Sequence, residues 1–169
     1  MRRTLSIAAL LITALLLQST VFAQLKLFGV RPELVFLVTI LIAILEGPQE
    51  GMMVGFVGGL AQDFLLNQPP KGLTALTLTL LGYGIGLIRQ YMASPSPLLP
   101  TMLVAFGTAA GVLFYEVVGF LLSHPQQPLL YSIKVPILTG IYGAVLTPIV
   151  FPLARRIAER SRPRRVARI

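Results

Sequence analysis

Leu34-Val-Phe-Leu-Val-Thr-Ile-Leu-Ile-Ala-Ile-Leu45, then Glu46-Gly-Pro-Gln-Glu50, then Gly51-Met-Met-Val-Gly-Phe-Val-Gly-Gly-Leu-Ala-Gln-Asp-Phe-Leu-Leu66, is the stretch that decides the fold. Two apolar runs flank a short break that holds a helix-stopping Gly-Pro pair between two carboxylates. Neither run shows the period-two alternation of a barrel strand. Backbone N–H and C=O groups cannot stay unpaired in lipid, so the pattern predicts helices packed side by side in a membrane.

Outward from this hairpin the same alternation of apolar run and polar break repeats. Breaks at Lys26 to Pro32, Asn67 to Lys71, Ser94 to Pro97 and Ser123 to Pro128 are rich in Pro, Gly or polar residues. They predict six spans: Thr4 to Ala23, Leu34 to Leu45, Gly51 to Leu66, Leu73 to Met92, Leu98 to Leu122 and Ile133 to Leu153. The second and third are short for a bilayer core of about 30 Å. Composition agrees, since 55% of the 169 residues are hydrophobic and 12% charged, against about 25% charged in an ordinary soluble domain. The mean hydropathy is +0.81. The expected architecture is all-α: one polytopic bundle over residues 1–153 and a basic cytoplasmic tail over 154–169. An alternative for the first span is a signal peptide, with Arg2-Arg3 before the apolar run and Val21-Phe-Ala23 as the cleavage site.

Charge sets the expected orientation. With both termini cytoplasmic, the inner side holds Arg2, Arg3, Arg89 and the tail arginines, and the outer side only Lys26, Arg31, Lys71 and Lys134. The tail carries Arg155, Arg156, Arg160, Arg162, Arg164, Arg165 and Arg168 against Glu159. Arginine near an anionic leaflet gains about 1 kcal/mol per residue, so the tail is expected on the membrane surface, with anionic lipid as its partner. Nucleic acid is not an expected partner, because no aromatic residue interleaves the basic run.

The residues that carry chemistry are few. There is no cysteine, which excludes disulfides, thiolate metal sites and a cysteine nucleophile. The single histidine, His124, stands in a Pro/Gln-rich loop without partner groups. Nucleophile-elbow, zincin and P-loop patterns do not occur. Neither an enzyme nor a cofactor is expected.

Two sets of residues inside the spans stand out. Small residues recur four apart at Gly51, Gly55 and Gly59, at Gly82 and Gly86, at Gly107 and Gly111, and at Gly140 and Ala144. This spacing lets helix backbones approach closely, either within the bundle or against a partner helix. Gly55→Leu is expected to do more damage than a change at the loop residue Gly29. The second set is polar: Gln18, Gln62, Asp63 and Glu116 fall in the outer half of the expected bilayer. Groups of this kind are costly there. They either converge on one polar pocket or reach the interface separately, beside Arg31, Lys71 or Lys134. On the inner side Glu46, Gln49 and Glu50 bracket a tight turn, with Arg89 as a possible internal partner.

Several ordered segments resemble the rod shape-determining protein MreD family. They are Gln18-Ser-Thr-Val-Phe22, Arg31-Pro-Glu-Leu-Val-Phe-Leu-Val38, Glu46-Gly-Pro-Gln-Glu-Gly51, Gly55-Phe-Val-Gly-Gly-Leu-Ala-Gln-Asp63, Gly72-Leu-Thr-Ala-Leu76, Leu80-Leu-Gly-Tyr-Gly-Ile-Gly-Leu-Ile-Arg89 and Pro148-Ile-Val-Phe-Pro-Leu153. The most specific is the Gly-Phe-x-x-Gly-Leu-x-x-Asp segment. The resemblance implies a bacterial inner-membrane protein of lateral-wall synthesis. Its implied partners are a bitopic MreC-like protein, an MreB-like filament and peptidoglycan synthases. It also implies a six-helix fold similar to the substrate-binding components of energy-coupling-factor transporters, and no catalytic residue. Asp63 is the position most readily carried over, while Glu116 and the long arginine tail fall outside the family pattern. The expected function is therefore a noncatalytic membrane scaffold of the elongation machinery. The alternative is a small-molecule transporter subunit with an outward-facing polar pocket.

Overall fold

The computed structural model describes residues 2–21, 29–30, 32–66, 70–91, 98–122 and 129–161. These form six α-helices: α1 (Arg2–Thr20), α2 (Leu34–Glu46), α3 (Pro48–Leu65), α4 (Leu73–Tyr91), α5 (Leu99–Leu121) and α6 (Leu129–Ser161). No strand occurs among the described residues.

The break between the second and third apolar runs shrinks to one residue. Gly47 stands at φ +103°, a conformation that side-chain-bearing residues rarely adopt. Its N–H donates to the Ala43 carbonyl at 3.0 Å, ending α2, and its carbonyl accepts from the Gly51 N–H at 3.0 Å, starting α3. Pro48 takes the first position of α3, where its missing N–H costs nothing. Glu46 and Glu50, read as loop residues from the sequence, thus belong to the last turn of α2 and the first turn of α3.

α2 is the axis of the molecule. Every residue from Leu34 to Ile44 is buried. The five other helices close a ring around it in the order α1, α3, α4, α5, α6 and back to α1, each touching α2 as well as its two neighbours. Thirteen residues make α2 about 20 Å long, less than a bilayer core of about 30 Å.

The ring is apolar outside and carries its polar groups inside. Leu5, Phe56, Leu80, Phe106 and Ile149 are exposed, whereas Gln18, Thr39, Gln62, Asp63, Thr74, Thr77 and Thr108 are buried. This inverts the soluble pattern and matches a lipid surround. By length and composition, α5 (Leu99–Leu121) and the Ile133–Ala158 part of α6 are long and apolar enough to cross a membrane. The Leu5–Thr20 part of α1 and all of α2 are apolar but shorter.

α6 runs beyond the span read from the sequence at both ends, and its 33 residues include Pro136, Pro148 and Pro152. Helices in a packed membrane bundle tolerate such prolines because neighbouring groups take up the freed carbonyls. Ala154 to Ser161, expected as the start of the tail, continues α6. Residues 162–169, with Arg162, Arg164, Arg165 and Arg168, lie outside the described residues, as does His124.

Candidate functional site

The start of α2 lacks a capping side chain of its own: Glu33 occupies the cap position without such a bond. A helix start leaves backbone N–H groups unpaired, and here one is met from another helix. The Val35 N–H donates to Gln18 Oε1 of α1 at 3.1 Å. The same amide donates from Nε2 to Glu33 Oε2 at 2.8 Å. Gln62 of α3 donates from its Nε2 to that same oxygen at 2.9 Å. One carboxylate oxygen therefore joins α1 and α3 to the head of α2.

The start of α4 is solved in the same way. Asp63, in the last turn of α3, accepts from the Gly72 N–H at 2.8 Å and the Ala75 N–H at 3.3 Å, both through Oδ2. Its charge lies at the positive end of α4, the favourable end of the helix dipole. Asp63 and Gln62 are each 1% exposed. Just outside, the Lys71 ammonium stands over the Phe64 ring at 5.7 Å, a cation–π contact. From α5, the half-buried Tyr115 faces Thr74 and lies in the field of Asp63, Glu116 and Glu33.

Of the four polar residues singled out by sequence, Gln18 and Gln62 meet on Glu33, Asp63 holds the α4 start, and the half-buried Glu116 lies beside Tyr115. Glu33 is the member that sequence reasoning did not single out. The signal was its position directly before an apolar run that has no Ser, Thr, Asp or Asn to cap it. Tyr115 and Thr74 carry no signal of their own in the sequence. All these groups gather at the end of the bundle where α1, α3 and α5 finish and α2, α4 and α6 begin. The exposed Arg155 and Arg156 stand near the opposite end of α6.

The glycines divide into two groups. A Cβ on Gly51 would lie 2.7 Å from the Gly82 carbonyl oxygen, and one on Gly59 would lie 2.5 Å from the Ala75 Cα. Likewise, Gly55 abuts the Leu78 carbonyl, Gly82 the Gly51 carbonyl and Gly86 the Pro48 backbone. This seam brings α3 and α4 together backbone to backbone. On α5, Gly107 meets Ile40 and Ile85 side chains, and Gly111 meets Phe36 and Leu81 side chains. Gly140 of α6 approaches the Ala105 carbonyl of α5, and beside it an open apolar groove runs past Ala109, Ile141 and Ala144.

A family model described as rod shape-determining protein MreD matches residues 1–157. The chain belongs to the MreD family. No curated protein and no solved structure matches it. The MreD match spans α1 to α5 and most of α6, so it includes the whole Gln18, Glu33, Gln62 and Asp63 cluster and the α3–α4 seam. MreD proteins are membrane proteins of rod shape determination and belong to the MreB/MreC shape machinery. Among the described residues of this MreD chain, no group of three His, Cys, Asp or Glu side chains could hold a metal ion.

Proposed function

We propose that this MreD-family protein is a noncatalytic, multi-pass inner-membrane scaffold of the lateral peptidoglycan synthesis machinery. Its main partner is a bitopic MreC-like protein, and through it the scaffold serves an MreB-like filament and peptidoglycan synthases. The observation that carries this reading is how the polar groups are used: Gln18, Glu33, Gln62 and Asp63 tie helix ends to one another. A side chain that completes a helix start is architectural, and a closed ring with an apolar exterior suits a body that other membrane proteins assemble on. Family membership supports the cellular role.

All six helices are read as spans, with both termini cytoplasmic and a fold similar to energy-coupling-factor substrate-binding components. The charge asymmetry supports this orientation, with Arg2, Arg3, Arg89, Arg155 and Arg156 on the inner side. The tail arginines then lie against anionic lipid.

The test is to purify the chain in mild detergent from its own membrane and identify what accompanies it. An MreC-like protein at stoichiometric yield is expected. A tightly held metabolite without a protein partner would replace the scaffold reading by the transporter one. Reporters after Ile169 and near Gln68 test the topology, with the first expected active only in the cytoplasm and the second only outside.

A further inference from the structure

The open groove between α5 and α6 has a volume of about 450 Å³, and the residues that line it are apolar. Ala105 and Ala109 of α5 with Gly140 and Ala144 of α6 form its floor, and the larger Phe106, Ile137, Ile141 and Val145 form its walls. Those four wall residues are between 52% and 74% exposed. The wall from Ile137 to Val145 is about 12 Å long at 1.5 Å per residue.

A charged residue of each sign stands at one mouth of this groove. On α6, Lys134 precedes Ile137, Ile141 and Val145 at helical spacing on a single face, and it is exposed. On α5, the half-buried Glu116 lies two turns beyond Ala109 on the same face. The two helices are fixed against each other at Gly140, where an added Cβ would lie 3.2 Å from the Ala109 Cβ. Counted from that contact along the antiparallel axes, Glu116 is about 10 Å and Lys134 about 9 Å away, toward the same end of the bundle. Arg155 is about 15 Å past Val145, toward the other end.

Length and charge decide what fills such a groove in a membrane. Lys134 to Val145 is about 16 Å, close to the half of a core of about 30 Å that the chains of one leaflet fill. A spanning helix of a partner covers the whole core and is about 10 to 12 Å across, more than this groove takes in. The charges then select a headgroup. A lysine near a helix end reaches toward the interface and suits a phosphate, while the Glu116 carboxylate suits an ammonium. A carboxylate has about four lone-pair sites, so Glu116 can take an outside donor in addition to its contact within the protein. Phosphate and primary ammonium on one short linker make a phosphoethanolamine.

We propose that the α5–α6 groove is a site for one phospholipid with a phosphoethanolamine headgroup: an acyl chain lies in the groove, the phosphate on Lys134 and the ammonium on Glu116. The site goes beyond the scaffold reading and requires only that α5 and α6 lie in a membrane. It is separate from the tail arginines, which belong to the other end of α6.

The experiment uses the full chain in mild detergent, washed free of lipid and titrated with dioleoyl phosphatidylethanolamine, phosphatidylglycerol or phosphatidylcholine, which share their chains and differ in headgroup. Native mass spectrometry counts the bound lipid, and thermal melting follows the stabilisation. One phosphatidylethanolamine per chain is expected, at a half-saturating concentration about tenfold below that of the other two. Glu116→Gln should remove this preference by weakening phosphatidylethanolamine alone. Lys134→Gln, at an exposed position, should weaken all three about tenfold. Ala144→Leu puts an isobutyl group into the groove and should abolish retention of every headgroup. Equal affinity for the three lipids, or a preference unchanged in both Glu116→Gln and Lys134→Gln, would mean ordinary annular lipid and overturns the site. So does an Ala144→Leu variant that binds lipid as the parent does but loses a dimer or a co-purified membrane protein, which would assign the groove to a helix.

Discussion

The α3–α4 seam and the inner face of α5 carry the same four-residue glycine spacing and use it differently. On α3, Gly51, Gly55 and Gly59 are pressed against the backbone of α4. On α5, Gly107 and Gly111 make room for side chains of α2 and α4. Backbone in a hydrogen-bonded helix cannot move without carrying the helix with it, whereas an isoleucine methyl can turn aside. Equal spacing in sequence therefore conceals unequal tolerance.

The sharpest way to break this contrast is Gly55→Leu. An isobutyl group there must displace the Leu78 carbonyl and the Thr39 methyl, so a loss of about 3 kcal/mol or more is expected, at the upper end of overpacking. Thermal melting and the yield of folded protein in the membrane measure it, and partner capture should fall only in proportion to folded protein. A variant with parental stability would mean that the two helices are not in backbone contact. Gly29→Leu is the control. Its neighbourhood is open, but Gly29 stands at φ +85°, which costs a non-glycine residue about 1 to 2 kcal/mol.

Asp63→Ala comes next. It leaves the Gly72 and Ala75 N–H groups without their acceptor, so a loss of about 2 kcal/mol is expected, with hydrogen exchange accelerated first at the α4 start. Asp63→Asn should lose less, because its amide oxygen can still accept both bonds.

Gly111→Ala tests the softer face. The added methyl would lie 2.8 Å from the Phe36 ring and 3.0 Å from a Leu81 methyl, and the ring must shift, at a cost of about 1 kcal/mol. Gly107→Ala is the smallest effect expected. Its neighbours are the terminal methyls of Ile40 and Ile85 at 3.1 and 3.2 Å, and alanine favours the helix by about 1 kcal/mol, so stability should stay level or rise. A large loss at Gly107 with none at Gly55 would reverse the comparison.

Helix positions were legible in the sequence because span and break are local properties of the chain. The six expected runs overlap α1 to α6, and the largest departure is at α6, whose helix passes through Pro148 and Pro152 into the arginine-bearing segment. The centre of the bundle was less legible. α2 is apolar on every side, with Thr39 its only polar residue between Leu34 and Leu45. That is the mark of a fully buried helix, but in a chain of apolar helices it is weak contrast. The pairing of Gln18 and Gln62 on Glu33 depends on three helix ends meeting, and nothing in the local sequence specifies that meeting. Asp63 was visible as a polar residue at depth. Its partners are backbone groups nine and twelve residues away across a loop, which no side-chain motif records.

The closed ring around α2 bears on the order of synthesis. α1 touches α6, so the pair that completes the enclosure is made early and late, with four helices synthesised between them. While the ribosome is still working on α5, one flank of α2 has no protein neighbour. The stretch from Val35 to Leu45 that waits there is nearly pure hydrocarbon. The enclosure of α2 is therefore complete only once α6 is in place, and a chain arrested before Leu129 would leave its innermost helix bare on the flank that α6 covers.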